Sequence, residues 1–103
     1  MSEQRALLFT DLVGSTQFVA RLGDVRAAEF WREHDRRARS LLAPHAGREI
    51  DHSDGFLLLF FDVANAIGYA LAYHESLTDL AVEARAGIHF GAVTLRENAA
   101  AAA

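Results

Sequence analysis

The chain has 103 residues, of which 51% are hydrophobic, and its formal net charge is −4 at pH 7. This length fits a single domain, 1–103, and an acidic chain without a basic stripe is not expected to bind nucleic acid. The sequence contains no cysteine, which excludes disulfides, thiolate metal sites and cysteine nucleophiles. No signal peptide or bilayer-spanning apolar run is visible, so we expect a cytoplasmic domain with no direct membrane insertion.

The beginning of the chain predicts a strand followed by two helices. Residues 6–10 (ALLFT) form an apolar run of strand length. Thr16 is a candidate cap for a short helix that Gly23 would stop, and Asp24 is a candidate cap for a longer helix. The longer helix is indicated by residues that recur at helical spacing, namely Ala27, Trp31, His34, Ala38 and Leu41.

The second half of the chain predicts a hairpin, a third helix and a last strand. Arg48–Asp51 and Phe56–Phe61 flank an Asp-Gly pair, which is a hairpin signal between extended runs. Asp62 is a candidate cap for the third helix, and Glu83–Leu95 has the character of a strand. This order of elements predicts an α+β fold with a ferredoxin-like antiparallel sheet that carries helices on one face.

The second hairpin strand, FLLLFF, departs from the usual pattern of such a sheet. A sheet covered on one face alternates apolar and polar residues, and this strand does not alternate. Helices can cover one of its faces. A second subunit in a dimer would cover the other face, and the alternative is a central strand that loops shield.

Asp11 ends the first strand and is followed at once by small residues, in the order FTDLVGST. Free backbone N–H groups at such a turn attract phosphate, and a carboxylate beside them would repel it unless a cation lay between. Asp11 is therefore a candidate ligand for magnesium, which prefers oxygen donors. The alternative is a strand-end aspartate that only caps a turn.

Asp54 lies at the tip of the predicted hairpin. If the strand that follows it is a neighbour of the first strand, Asp54 can approach Asp11. Two converging carboxylates repel each other unless a metal or a proton separates them, and two-metal sites use such pairs. The alternative is that Asp54 serves only the turn, because Asp-Gly is a common hairpin pair.

Several stretches of the sequence, in this order, resemble class III adenylate and guanylate cyclase catalytic domains of the bacterial type. FTDLVGST is similar to their opening motif, and GREIDHSDGFLLLF is similar to their metal-bearing hairpin. Glu33–Arg36 resembles a recurrent part of their long helix, and RAGIHFGAV resembles the strand before their dimerisation arm. The matches span about residues 5–98.

The resemblance implies a cyclase, a phosphorus–oxygen lyase of cyclic nucleotide signalling that works as a head-to-tail homodimer. Each active site would use two Mg²⁺ or Mn²⁺ ions to convert ATP, or GTP, to a cyclic nucleotide and pyrophosphate. The attacking group would be the ribose 3′-hydroxyl and the acceptor the α-phosphorus. The implied catalytic and metal-binding residues are Asp11 and Asp54, and the backbone of Leu12 would be a further metal ligand. The residues implied to contact the triphosphate are Leu12, Val13, Gly14, Ser15 and Thr16.

The sequence departs from the family in two places. Many members carry a base-reading lysine where this chain has Ile50, and His52 nearby is interpreted as a solvated turn residue. The family's transition-state asparagine and arginine lie beyond the matched strand, so we expect a domain that is C-terminally incomplete, truncated before or within the arm. These departures keep two alternatives open, a non-catalytic nucleotide-binding or dimerisation module that acts as a regulator, and an unrelated ferredoxin-like binding domain.

Overall fold

The apolar runs of the sequence become the strands of one sheet, and the amphipathic runs become its helices. A computed structural model describes residues 2–53, 55–80, 82–95 and 100–102. In these ranges the strands are β1 (Ser2–Leu12), β2 (Gly47–His52), β3 (Phe56–Phe60), β4 (Ala84–Leu95) and β5 (Ala100–Ala102). The helices are α1 (Ser15–Leu22), α2 (Asp24–Ser40), α3 (Val63–Ser76) and a 3-10 turn, Ala43–His45.

The sheet is antiparallel throughout, with the strand order β2-β3-β1-β4-β5. The inner strands are β3, β1 and β4, and the apolar runs ALLFT and FLLLF lie in β1 and β3 at the centre of the sheet. In this register Leu8 of β1 is opposite Leu58 of β3 and Ile88 of β4. The predicted α+β fold with an antiparallel sheet is therefore confirmed, and the condition under which Asp54 can approach Asp11, that the hairpin strand lies next to the first strand, is met.

The main core lies between the sheet and the helices. Alternate residues of β1 and β3 face it, because successive side chains of a strand point to opposite faces. Phe60, Tyr69 and Tyr73 are its largest fully buried side chains. Full burial of an apolar side chain such as that of Phe60 contributes about 1.5–3 kcal/mol to folding. Its other buried members are Ala6, Leu8, Leu12, Ala38, Phe56, Leu58, Ala66 and Leu77.

The opposite face of the sheet is covered only in part. Leu7, Leu59 and Val93 form a small buried cluster there. Phe9 of β1 and Phe61, which follows β3, remain 52% and 65% exposed beside it. This is the face of the FLLLFF strand for which the sequence pattern predicts a second subunit or shielding loops. The Arg5 guanidinium lies over the Phe61 ring, and both aromatic side chains remain exposed.

The helix starts correct two predictions and confirm one. Thr16 does not cap α1, because Gly14 does so in a left-handed conformation (φ 66°). Asp24 is the first residue of α2, and Gly23 is its cap. Asp62 caps α3 as predicted, since its carboxylate accepts a 2.8 Å hydrogen bond from the Asn65 N–H. Glycine occupies the cap positions of α1 and α2 because the backbone has positive φ at both.

Ion pairs fix α2 against the end of α3. Arg37 donates to the Ser76 carbonyl and to the carboxylates of Asp79 and Glu33. Hydrogen bonds from Arg36 and Arg37 lower the pKa of Glu33 to about 2. These contacts hold the helix that carries His34 in place over the sheet. Across the described ranges, no helix combines the length and apolarity that crossing a membrane requires.

Candidate active site

The end of β1 is tied directly to the start of β3. The backbone N–H of Phe56 donates a 2.9 Å hydrogen bond to Oγ1 of Thr10, and both groups are buried. On the hairpin itself, the Ser53 N–H donates to the Gly55 carbonyl over 3.1 Å. Thr10 immediately precedes Asp11, so the hairpin end is held beside the predicted metal ligand.

Gly55 is required by this close approach of two backbones. A Cβ atom built on Gly55 would lie 1.9 Å from the Thr10 carbonyl oxygen, and 3.7 Å from the Cα of Asp11. No side chain fits in that space. Asp54 lies outside the described residues, but its chain neighbours Ser53 and Gly55 both border the cavity that Asp11 lines.

Asp11 extends from the sheet toward Arg85 of β4. The two residues are direct partners in the β1–β4 register, and the Arg85 guanidinium donates a short hydrogen bond to Oδ2 of Asp11. The side chain of Asp11 is 49% exposed and that of Arg85 is 68% exposed. An ion pair this exposed to water stabilises the fold by only about 0.2–1 kcal/mol.

The turn after β1 presents backbone N–H groups next to this carboxylate. The first hydrogen bond of α1 runs from the Phe18 N–H to the Gly14 carbonyl, so the N–H groups of Ser15 and Thr16 have no acceptor within the helix. Such groups favour an anion at a helix start. Val13 differs, because its N–H donates to the Glu83 carbonyl over 2.8 Å.

A cavity of about 610 Å³ opens between the end of β1, helix α2 and the β2–β3 hairpin. Four of the predicted site residues line it together: Asp11, Leu12, Ser15 and Thr16. Val13 and Gly14 do not line it. The remaining wall consists of Thr10, Trp31, His34, Asp35, His52, Ser53, Gly55 and Tyr73.

A buried chain of hydrogen bonds forms the floor of the cavity. His34 Nδ1 lies 2.9 Å from a carboxylate oxygen of Asp35, and Nε2 lies 2.7 Å from the Tyr73 hydroxyl. A carboxylate only accepts, so Nδ1 carries the proton and Nε2 accepts from Tyr73. Burial raises the pKa of Tyr73 to about 12, which keeps this phenol protonated at neutral pH. His34 is thus a satisfied core histidine, and it orients Asp35.

His52 corrects another prediction. It belongs to β2, and its ring stacks on Phe56 with 4.1 Å between the centroids and 5° between the planes. Its Nε2 lies 3.5 Å from the Asp35 carboxylate, and its side chain is 27% exposed. The interpretation as a solvated turn histidine is therefore wrong, because the β2–β3 pairing extends through His52.

The donors fit a hard divalent cation only in part. Asp11 offers a half-exposed carboxylate at the cavity mouth, and the donor chemistry of an aspartate suits Mg²⁺ or Mn²⁺. Among the described residues, which omit Asp54, no group of three or more His, Asp or Glu side chains is arranged to hold a metal ion. A two-aspartate site needs no third such side chain, since Mg²⁺ usually keeps water and substrate oxygens as ligands.

Sequence reasoning missed three residues of this site. Asp35 was present in the Glu33–Arg36 stretch, but the sequence did not indicate that it would reach a cavity. Arg85 opens the RAGIHFGAV stretch, and only the β1–β4 register shows that it meets Asp11. His52 was considered and assigned to solvent. Strand register was the missing information in the last two cases.

Comparison with known proteins rests on structure alone. No protein-family model matches the chain, and no curated protein matches it by sequence. A bacterial light-regulated adenylyl cyclase superposes with a TM-score of 0.83 at 13% identity, covering 91% of this chain and 56% of that one. The adenylyl cyclase CyaB from P. aeruginosa gives 0.79 at 16% identity, with 90% and 59% covered.

A fungal structure extends the same comparison. The guanylate cyclase domain of RhGC from Catenaria anguillulae, in complex with GTP, gives a TM-score of 0.82 at 15% identity. The match covers 97% of this chain and 65% of that domain. The chain thus spans less than two thirds of each of these three structures. The predicted resemblance is confirmed at the level of the fold: this chain has the fold of a class III adenylyl or guanylyl cyclase domain.

Proposed function

We propose that this domain is a nucleotide cyclase that converts ATP to cyclic AMP and pyrophosphate, with GTP as the other candidate substrate. The observation that carries the proposal is the cavity at the end of β1. It brings together the Asp11 carboxylate, both chain neighbours of Asp54, and Ser15 and Thr16, whose N–H groups have no acceptor within helix α1. A triphosphate with its divalent cations matches that combination of donors and acceptors.

Each residue has a role that follows from its chemistry. Asp11 and Asp54 would hold two Mg²⁺ or Mn²⁺ ions, with the Leu12 backbone as a further oxygen donor. When bound, such ions neutralise the triphosphate and make the ribose 3′-hydroxyl more acidic. The N–H groups of Ser15 and Thr16 would orient the phosphate oxygens for in-line displacement. Gly55 keeps the hairpin close enough to β1 for the two aspartates to act together.

A homodimer completes this proposal. The aromatic residues Phe9 and Phe61 are exposed on the sheet face away from the helices, beside the buried cluster of Leu7 and Leu59. Burial of this face by a second copy would remove apolar surface from water at about 25 cal/mol per Å². The head-to-tail arrangement that the resemblance implies remains part of the proposal.

A second candidate function is a non-catalytic nucleotide-binding or dimerisation module with a regulatory role. One observation favours it. Ile50, at the position where many cyclases carry a base-reading lysine, packs against the Leu7–Leu59 cluster and does not line the cavity. Base selection by a lysine at this position is therefore missing. A regulatory module of this kind would bind a nucleotide without converting it.

The proposal is tested by incubating the purified protein with ATP or GTP, each with Mg²⁺ or with Mn²⁺. We expect a 3′,5′-cyclic nucleotide and pyrophosphate, identified by mass spectrometry, and no product when the cation is chelated. Metal-dependent binding of the triphosphate without a cyclic product would favour the regulatory module. Absence of both triphosphate binding and cyclic product would contradict the cyclase and the nucleotide-binding module alike.

A further inference from the structure

The ion pair between Asp11 and Arg85 lies where the proposed metal site requires a free carboxylate. It is built into the sheet, because the two residues face each other in the β1–β4 register. Their neighbours along the strands, Leu12 and Ala84, face the helix layer, which leaves the pair on the open side. No other acidic side chain is hydrogen-bonded to Arg85 within the described ranges.

A guanidinium and a divalent cation compete for the same carboxylate. Oδ2 of Asp11 accepts from Arg85, so a cation that binds this oxygen meets a positive charge within hydrogen-bonding distance. Two like charges at such a separation repel each other, and the repulsion weakens as water screens them. The other described carboxylate of the cavity, Asp35, is already held by His34 and lies near His52.

We propose that, in the metal-free domain, the Arg85 guanidinium occupies the place beside the Asp11 carboxylate where a metal ion would bind. A divalent metal must then displace the guanidinium in order to bind Asp11. The inference rests on the proposed function, since it takes Asp11 as a metal ligand. Arg85 is then a positioning residue: it keeps the carboxylate neutralised and oriented while the site is empty of metal. The pair is exposed enough to open readily, which suits a placeholder that gives way to the metal.

The size of the effect follows from the exposure of the pair. Exposed ion pairs are weak, so removing the guanidinium should tighten metal binding by about two- to fivefold and not by orders of magnitude. Added salt should reduce the difference, because surface charges are screened. If Arg85 instead supported the metal through the shared carboxylate, its removal would weaken binding.

The test is a titration of the protein with Mn²⁺ alone, in which free Mn²⁺ is followed by electron paramagnetic resonance. Arg85→Ala and Arg85→Gln should both bind Mn²⁺ about two- to fivefold more tightly than the parent protein. Arg85→Lys, which keeps the charge, should change the affinity less. Thermal unfolding of each variant checks that the sheet is intact.

Arg5→Ala is the matched control, because it removes one arginine charge from the same face of the sheet. Arg5 pairs with Glu3 and lies over the Phe61 ring. It is six residues from Asp11 along β1, or about 20 Å, which exceeds the Debye length. Its Mn²⁺ affinity should equal that of the parent protein.

The outcomes separate the two levels of the proposal. Unchanged or weaker Mn²⁺ binding in both neutral Arg85 variants would overturn the placeholder role. An equal gain in Arg5→Ala would also overturn it, because net charge would then explain the effect. Asp11→Asn addresses the proposed function itself: if that variant binds Mn²⁺ as well as the parent protein, Asp11 is not a metal ligand and the failure lies there.

Discussion

Replacing Asp11 with asparagine should lower cyclic nucleotide production by at least about 100-fold, the usual cost of removing one preorganised electrostatic group from an active site. The amide keeps the shape of the side chain but loses the charge that the proposal assigns to the metal. The free energy of unfolding should change by less than about 1 kcal/mol, because the ion pair with Arg85 that is lost is exposed.

The control for this prediction is Glu29→Gln, which makes the same carboxylate-to-amide change on an exposed position of α2. Glu29 does not line the cavity, so its variant should keep the parent activity. Activity that survives in Asp11→Asn would show that the carboxylate does no chemistry. Equal losses in both variants would point to a general effect of charge.

Replacing Gly55 with alanine should lower the free energy of unfolding more than the Asp11 or Gly87 substitutions do. The new Cβ would lie 1.9 Å from the Thr10 carbonyl oxygen, and moving the two backbones apart would stretch the 2.9 Å hydrogen bond between the Phe56 N–H and Thr10 Oγ1. Overpacking of this kind costs about 1–3 kcal/mol or more, so the urea midpoint should fall accordingly. Cyclic nucleotide production by the folded fraction should fall too, because the hairpin that carries Asp54 must shift away from β1.

Gly87→Ala provides the matched comparison. Gly87 also lies in the sheet, but a Cβ atom there meets nothing within 4 Å. Its stability should therefore stay within about 0.5 kcal/mol of the parent protein, as is usual for surface substitutions. Equal effects at the two glycines would mean that the close approach of Gly55 to Thr10 is not what fixes the hairpin.

Much of the fold could be predicted from the sequence because its signals are local. Apolar runs gave the central strands, helical spacing gave α2 and α3, and the Asp62 cap was placed correctly. Thr16 and Asp24 were wrong as caps, because the glycines at 14 and 23 supply backbone conformations that outweigh side-chain capping. Residue patterns alone do not show when a turn needs positive φ.

The candidate site was predictable to a smaller extent. Asp11, Ser15 and Thr16 do converge on one cavity, as the turn chemistry after a strand suggests. Arg85 could not be found this way, because its contact with Asp11 joins residues 74 positions apart. The contact also depends on the exact β1–β4 register, since a shift by one residue would place a different residue opposite Asp11. His52 was misjudged for the same reason: a residue that pairs in a strand is not distinguishable, by sequence, from one in the turn that follows.

The central claim is that Asp11 and Asp54 act as one metal site, and a double-mutant cycle on Mn²⁺ binding tests it most directly. Asp11→Asn and Asp54→Asn should each weaken Mn²⁺ binding by at least about tenfold, since each removes a charged ligand. The double variant should bind little worse than either single variant, because groups that act as a unit are not additive. Losses that add fully, or a loss in only one variant, would contradict a shared site.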